Sequence, residues 1–153
     1  MKIGIILNNL GASQLAYYVI RNINEQSEAS VEDDFTIFFE NMSPQVIKPL
    51  VGSMNTSEIW NFDGTLISTS FENTISSLNA ATSAKRYFYV WDLEWLRPHG
   101  RSFERQVLAY ADKDINLIAR SEDHAKAIWN YCNRDVCGIV DDFNIEQLME
   151  VIK

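Results

Sequence analysis

Short apolar runs alternate along the chain with stretches whose apolar residues recur at steps of three and four. Residues 2–7 form the first run, in which Ile3, Ile5, Ile6 and Leu7 predict a strand buried on both faces, ending in the polar turn Asn8-Asn9-Leu10-Gly11. Ser13 stands where a helix N-cap would, and Leu15, Ala16, Val19, Ile20 and Ile23 predict an amphipathic helix through Asn24. The acidic and small residues from 25 to 34 predict a loop, and residues 35–39 a second buried strand. Pro44 and Pro49 around Val46 and Ile47 predict a short helix or one-turn connection between 41 and 55. Residues 58–62 predict a third strand, and Asp63-Gly64 a turn into an extended stretch over 66–70.

Ile75, Leu78 and Ala81 predict a helix over 73–84, before the strongest strand signal of the chain, Tyr87-Phe-Tyr-Val-Trp91. A loop at Pro98-His99-Gly100 leads to a helix over 102–111, whose inward face is read as Phe103, Val107, Leu108 and Ala111. Residues 115–119 predict the next strand, and Ser121-Glu122-Asp123 starts a helix running to about Asn133, with a hydroxyl cap and acids at the positive end of the peptide dipoles. Residues 136–140 predict the last strand, and Asp141 or Asp142 a cap for a terminal helix that turns Leu148, Val151 and Ile152 inward. Continuous apolar strands alternating with helices predict an α/β fold: a three-layer αβα Rossmann-like sandwich over residues 1–153, with a mainly parallel sheet of about six strands. In such sheets ligands gather beyond the carboxyl ends of the strands, which makes the residues just after each strand the informative ones.

Charge narrows the partners. Thirteen Lys and Arg against 21 Asp and Glu leave a net charge of −8, which argues against general nucleic-acid binding because phosphate affinity needs clustered cations. Asn8-Asn9 interrupts the first apolar run too early for a signal-peptide core or a membrane span. Cys132 and Cys137 match neither a Cys-x-x-Cys pair nor a zinc ligand set, and are read as reduced thiols in a cytoplasmic protein. His99 and His124 are too few for a His-rich metal site, Asp141-Asp142 is better explained as a cap, and no metal is expected. His124 is read as a solvated residue of its helix.

Three clusters could carry chemistry. The turn Asn8-Asn9-Leu10-Gly11 offers backbone N–H groups and two amides to a hydroxylated or anionic ligand, although a plain capped turn describes it as well. With Gly11 as its one glycine it is not a dinucleotide fingerprint. Asp92 and Glu94 stand at a strand end beside Trp91, Trp95, Arg97, His99 and Arg101. Carboxylates bind hydroxyls or act as bases, indoles stack on the apolar faces of sugars, and arginines neutralise phosphate oxygens, so this mixture suits a carbohydrate or nucleotide-sugar cleft. The bland alternative is a surface loop in which Arg97 or Arg101 pairs with Glu94 or Glu104. Arg120-Ser121 reads as an anion site or as a helix cap. The Gly-x-Ser-x-Gly elbow, the P-loop and the His-Glu-x-x-His motif do not occur in the sequence.

Residues 2–11, the segment Ser68-Thr-Ser-Phe-Glu-Asn-Thr74, the phrase Tyr87-Phe-Tyr-Val-Trp-Asp-Leu-Glu94 and Ile118-Ala-Arg-Ser121 together resemble the N-terminal half of a GT-B glycosyltransferase of the rhamnosyltransferase type. In that family the third phrase often runs from aromatic residues into Gln-Asp-x-Glu, and here Trp91 replaces the Gln while Asp92 and Glu94 keep their places. The resemblance implies an acceptor-side domain that binds a sugar acceptor or nucleotide sugar. Asp92 or Glu94 would be the acceptor base, and Asn8, Asn9, Gly11, Trp91, Trp95, His99, Arg101, Arg120 and Ser121 would bind substrate. It implies no tightly bound cofactor, only a nucleotide-sugar donor. Family members carry a second Rossmann-like domain that this sequence lacks, so catalysis would call for a partner chain or a homo-oligomer. The alternative expectation is a non-catalytic acidic interaction module of the same fold, with Trp91, Trp95 and Phe103 as its contact surface.

Overall fold

Seven strands form one sheet in the computed structural model of the chain, which describes residues 1–11, 13–29, 32–80, 84–97 and 103–153. In chain order they are β1 (Lys2–Asn9), β2 (Asp34–Asn41), β3 (Gly52–Asn55), β4 (Thr65–Ser68), β5 (Lys85–Tyr89), β6 (Ile115–Ala119) and β7 (Gly138–Ile139). The sheet order is β3-β2-β1-β4-β5-β6-β7, and every neighbouring pair is parallel. Helices α1 (Gln14–Ala29) and α5 (Ile145–Ile152) pack on one face, and α2 (Phe71–Ser77), α3 (Phe103–Ala111) and α4 (Glu122–Cys132) on the other. The fold is thus the expected α/β three-layer sandwich, with seven strands in place of about six. No helix among the described residues is long and apolar enough to cross a membrane.

Because successive side chains of a strand point to opposite faces, β1 feeds two cores at once. Ile3, Ile5 and Leu7 meet Val19, Ile20 and Ile23 of α1, while Ile6 meets Phe38, Ile59 and Leu66 on the opposite face. Polar caps set the helix starts: Ser13 Oγ accepts the Ala16 N–H, Ser121 Oγ the His124 N–H, and Asn144 Oδ1 the Gln147 N–H. Two arginines close helix ends that have no basic residue of their own. Arg134 donates to the carbonyls of Tyr110, Asp112 and Ile115 after α3, and Arg86 to those of Ser77, Ala80 and Ala84 after α2.

Several expected elements differ. α1 continues to Ala29, through residues read as loop. Residues 42–51 form no helix; they run as an open loop into β3, an exposed edge strand. Residues 58–62 are not a strand: Thr56–Asn61 is a 3-10 helix, capped by Asn55 Oδ1 on the Ser57 N–H and anchored by buried Ile59. Asn144, not Asp141 or Asp142, caps α5. α3 is rotated from its expected phase, with Gln106, Ala109 and Tyr110 buried and Phe103, Val107 and Leu108 exposed. The helix expected to reach 84 ends at Ser77, and Ala81 and the Pro98-His99-Gly100 loop lie outside the described residues.

Gly11 is buried under the chain at 43–44, where an added Cβ would lie 2.6 Å from the carbonyl oxygens of both Ser43 and Pro44. Gly11→Ala is therefore expected to destabilise the fold by about 2–3 kcal/mol, as over-packing against backbone does, read as a lower midpoint in urea unfolding. An unchanged midpoint would mean that the 43–44 segment moves aside freely.

Candidate functional site

From β1 the chain winds outward through β2 and β3, then returns to β4 and continues through β7 on the other side. The order reverses between β1 and β4, and open α/β sheets place ligands beyond the carboxyl ends of the strands at such a point. A connected polar ridge borders it. Asn73, fully buried in α2, accepts the N–H groups of Thr69 and Ser70 on Oδ1 and donates from Nδ2 to the Ile6 carbonyl, Asn8 Oδ1 and Thr69 Oγ1. Ser70 Oγ caps α2 by accepting the Asn73 N–H and donates to Asn8 Oδ1 at 3.0 Å. Exposed Asn8 thus has its oxygen engaged twice, while its amide N–H donors carry no protein partner among the described residues.

The ridge continues to the loop after β5, where Glu94 Oε1 accepts the Phe71 N–H at 2.9 Å. Burial, with the neighbouring Asp92 and Glu72 charges adding to it, outweighs that hydrogen bond and Arg97, and pushes the Glu94 carboxyl up to about 7. Asp92 stands differently: half-buried, it pairs with Arg97 at 3.2 Å. Among the described residues Arg97 thus pairs with Asp92, which is not one of the two partners expected for it, Glu94 and Glu104.

Trp91 is a buried core residue against Tyr18 and Tyr89, and the Arg120 guanidinium lies over its ring at 3.7 Å from the centroid. Arg120 also donates to the Trp91 carbonyl and to Asp142 Oδ1, the latter at 2.9 Å. Asp142 and Phe143 both hold positive φ, 41° and 58°, a left-handed pair of non-glycine residues. Asn22 Nδ2 donates to both of their carbonyls, and Tyr89 Oη accepts the Phe143 N–H while donating to Val140. Strain of this kind persists only where surrounding contacts over-determine it, and here it fixes the carboxylate that positions Arg120.

The remaining expected residues are spread out. Asn9 is spent on structure, donating to Ser43 Oγ and accepting the N–H groups of Gly11 and Ser43. Gly11, with Leu10, Ser13, Tyr17, Val46 and Ile47, lines a mostly apolar pocket of ≈ 250 Å³ beside α1. The close 43–44 backbone covers the turn that a dinucleotide pyrophosphate would approach. Trp95 is half-buried, stacked on Tyr131 with centroids 4.3 Å apart, and edge-on to Tyr110. Ser121 is a helix cap whose first turn carries Glu122 and Asp123, a poor setting for an anion. His99 and Arg101 lie outside the described residues.

Sequence reasoning missed Ser70 and Asn73 as ridge-builders, although a hydroxyl followed three residues later by a polar side chain after an apolar run is a capping-box spacing. It also missed His124. Rather than a solvated residue, it is partly buried, and burial first and the Arg120 charge second hold its pKa below the ordinary value. Among the described residues no three His, Cys, Asp or Glu side chains cluster closely enough to hold a metal ion. No protein-family model, curated protein or solved structure matches the chain.

Proposed function

We propose that the chain is a glycosyltransferase-like domain that binds a sugar acceptor or nucleotide sugar beyond the carboxyl ends of β1 and β4, with Glu94 as the acid–base group. The observation that carries this reading is the continuous ridge from Asn8 through Ser70 and Asn73 to Phe71 and Glu94, which joins the carboxyl ends of β1, β4 and β5. A base that must deprotonate a sugar hydroxyl works best when its pKa lies near the working pH, and of the two carboxylates Glu94, pushed up to about 7, meets that condition. The free amide N–H groups of Asn8 suit a hydroxyl or phosphate oxygen. Arg120, held over the Trp91 ring, offers a planar cation further along the same edge. The reading sets the protein in the cytoplasm, in keeping with two free thiols, and assigns completion of transfer to a partner chain or a second copy.

Thermal shift and calorimetry with uridine, guanosine and deoxythymidine diphosphates and their sugar conjugates test it. One conjugate is expected to stabilise the fold by about 2.7 kcal/mol at a hundredfold excess over its Kd, and Asn8→Ala to weaken that binding about tenfold. Stabilisation by none of them would sink the proposal. A second reading, an interaction module, draws on the outward Phe103, Val107 and Leu108 of α3; Trp91 is buried and Trp95 half-buried against Tyr110 and Tyr131, so neither adds much to it.

A further inference from the structure

On the face that carries α2, a second concavity lies between the 3-10 helix Thr56–Asn61 and the end of α2 farthest from Ser70. Its volume is ≈ 380 Å³, within the ~300–1,000 Å³ range of small-molecule sites. Asn55, Thr56, Ser57 and Trp60 form one wall, Ser76 and Asn79 the other, with Ile59 beneath.

Trp60 is the unusual member. The 3-10 helix is already anchored by buried Ile59 and by Phe62, packed edge-on against Phe38, whereas the Trp60 indole is 65% exposed. Packing does not explain a tryptophan here, and a large aromatic surface left in water beside a concavity is what a ligand would cover.

The polar lining narrows the ligand. Among the described residues no charged side chain lines the concavity, in a chain that is 22% charged. A phosphate, carboxylate or cation would find no counter-charge there. What the walls offer is both halves of neutral hydrogen bonding. Asn55 spends Oδ1 on the Ser57 N–H and keeps its amide donors; Ser76 donates to the Glu72 carbonyl and keeps an acceptor lone pair. The side chains of Thr56, Ser57 and Asn79 carry no hydrogen-bond partner among the described residues and can donate and accept. Vicinal hydroxyls that each donate and accept, set around a ring whose axial C–H bonds make an apolar face, match this lining and the open indole together.

We propose that the Trp60 concavity is a binding site for a neutral saccharide unit, separate from the site beyond the carboxyl ends of β1 and β4 and independent of the function assigned to it. The sugar's C–H face stacks on Trp60 and its hydroxyls bond to Asn55, Thr56, Ser57, Ser76 and Asn79.

Calorimetric titration with maltohexaose, cellohexaose, laminarihexaose and mannohexaose, and with a heparin hexasaccharide as the anionic comparison, tests the assignment. At least one neutral hexasaccharide is expected to bind with a millimolar or tighter Kd. Trp60→Ala and Asn79→Ala should each weaken that binding about tenfold, while Trp129→Ala, the removal of an exposed indole on α4, should leave it within about twofold. Circular dichroism and Tm of the variants check that the fold is kept. The proposal is overturned if no neutral hexasaccharide binds at millimolar concentration, if Trp60→Ala binds like the parent chain, or if the heparin fragment binds best. It is equally overturned if the parent chain elutes as an oligomer that Trp60→Ala returns to monomer, which would assign the indole to a protein contact.

Discussion

Asn73→Ala is expected to destabilise the protein by about 3–4 kcal/mol, read as a lower midpoint at unchanged slope in urea unfolding. The side chain is wholly buried and makes five hydrogen bonds to four residues, tying α2 to β1 and to the turn after β4. Its loss strands the buried N–H groups of Thr69 and Ser70, and each orphaned donor costs about 1–3 kcal/mol. The Ile6 carbonyl suffers less, because Thr69 Oγ1 still donates to it at 2.7 Å. Asn73→Asp separates donor from acceptor: it keeps an oxygen for Thr69 and Ser70 but sets a carboxylate against the Ile6 carbonyl and Asn8 Oδ1. Near neutral pH it should cost at least as much as the alanine, with part recovered in acid as the carboxyl protonates. A change below about 0.5 kcal/mol in either variant would mean that water replaces the network at no loss.

Glu94→Gln should change the pH dependence of stability more than stability itself. Burial raises the Glu94 carboxyl from 4.5 to about 7 in the folded chain, so the native state holds a proton that the unfolded chain has lost. Its stability is fully present below about pH 4.5 and is lost as pH rises toward 7. Glutamine keeps an oxygen for the Phe71 N–H and does not titrate. Relative to the parent chain, the variant should therefore gain on the order of 2–3 kcal/mol between the acid and alkaline ends of that window. His124 works in the opposite sense: its pKa lies below 6.5 in the folded chain, so its contribution is present above pH 6.5 and lost as pH falls. The two slopes oppose each other just below pH 6.5, and removing Glu94 should expose the rising one there. Parallel profiles for variant and parent in chemical denaturation across this range would refute the environment described for Glu94.

The strands β1, β2, β5 and β6 were legible because each is an apolar run too short for a helix, and α4 because Ser121, Glu122 and Asp123 announce its start. Residues 58–62 misled because Glu58-Ile-Trp-Asn-Phe62 carries the composition of a strand; what decides is Asn55, whose cap turns the chain before a ladder can form. α3 misled for another reason. Phe103, Val107 and Leu108 and the set Gln106, Ala109 and Tyr110 both fit helical spacing, and periodicity alone cannot choose between two such faces. The second wins because Tyr110 completes a ring cluster with Trp95 and Tyr131, partners distant in sequence. The same limit governed the candidate site. Asn8 and Glu94 could be singled out as strand-end residues, but Ser70 and Asn73 matter through bonds to β1, which the local sequence does not contain.

The shortness of the outer strands bears on how the molecule behaves at high concentration. β3 offers four residues at one margin of the sheet and β7 two at the other. Unpaired backbone at a long, flat edge is a template on which a further chain can add, and blunt edges are a common protection against it. Here the ladder ends within a few residues on either side, and a net charge of −8 keeps neighbouring molecules apart. Crowded solutions of this protein should therefore resist edge-to-edge growth into fibres, leaving loops and helix faces as the surfaces through which copies can meet.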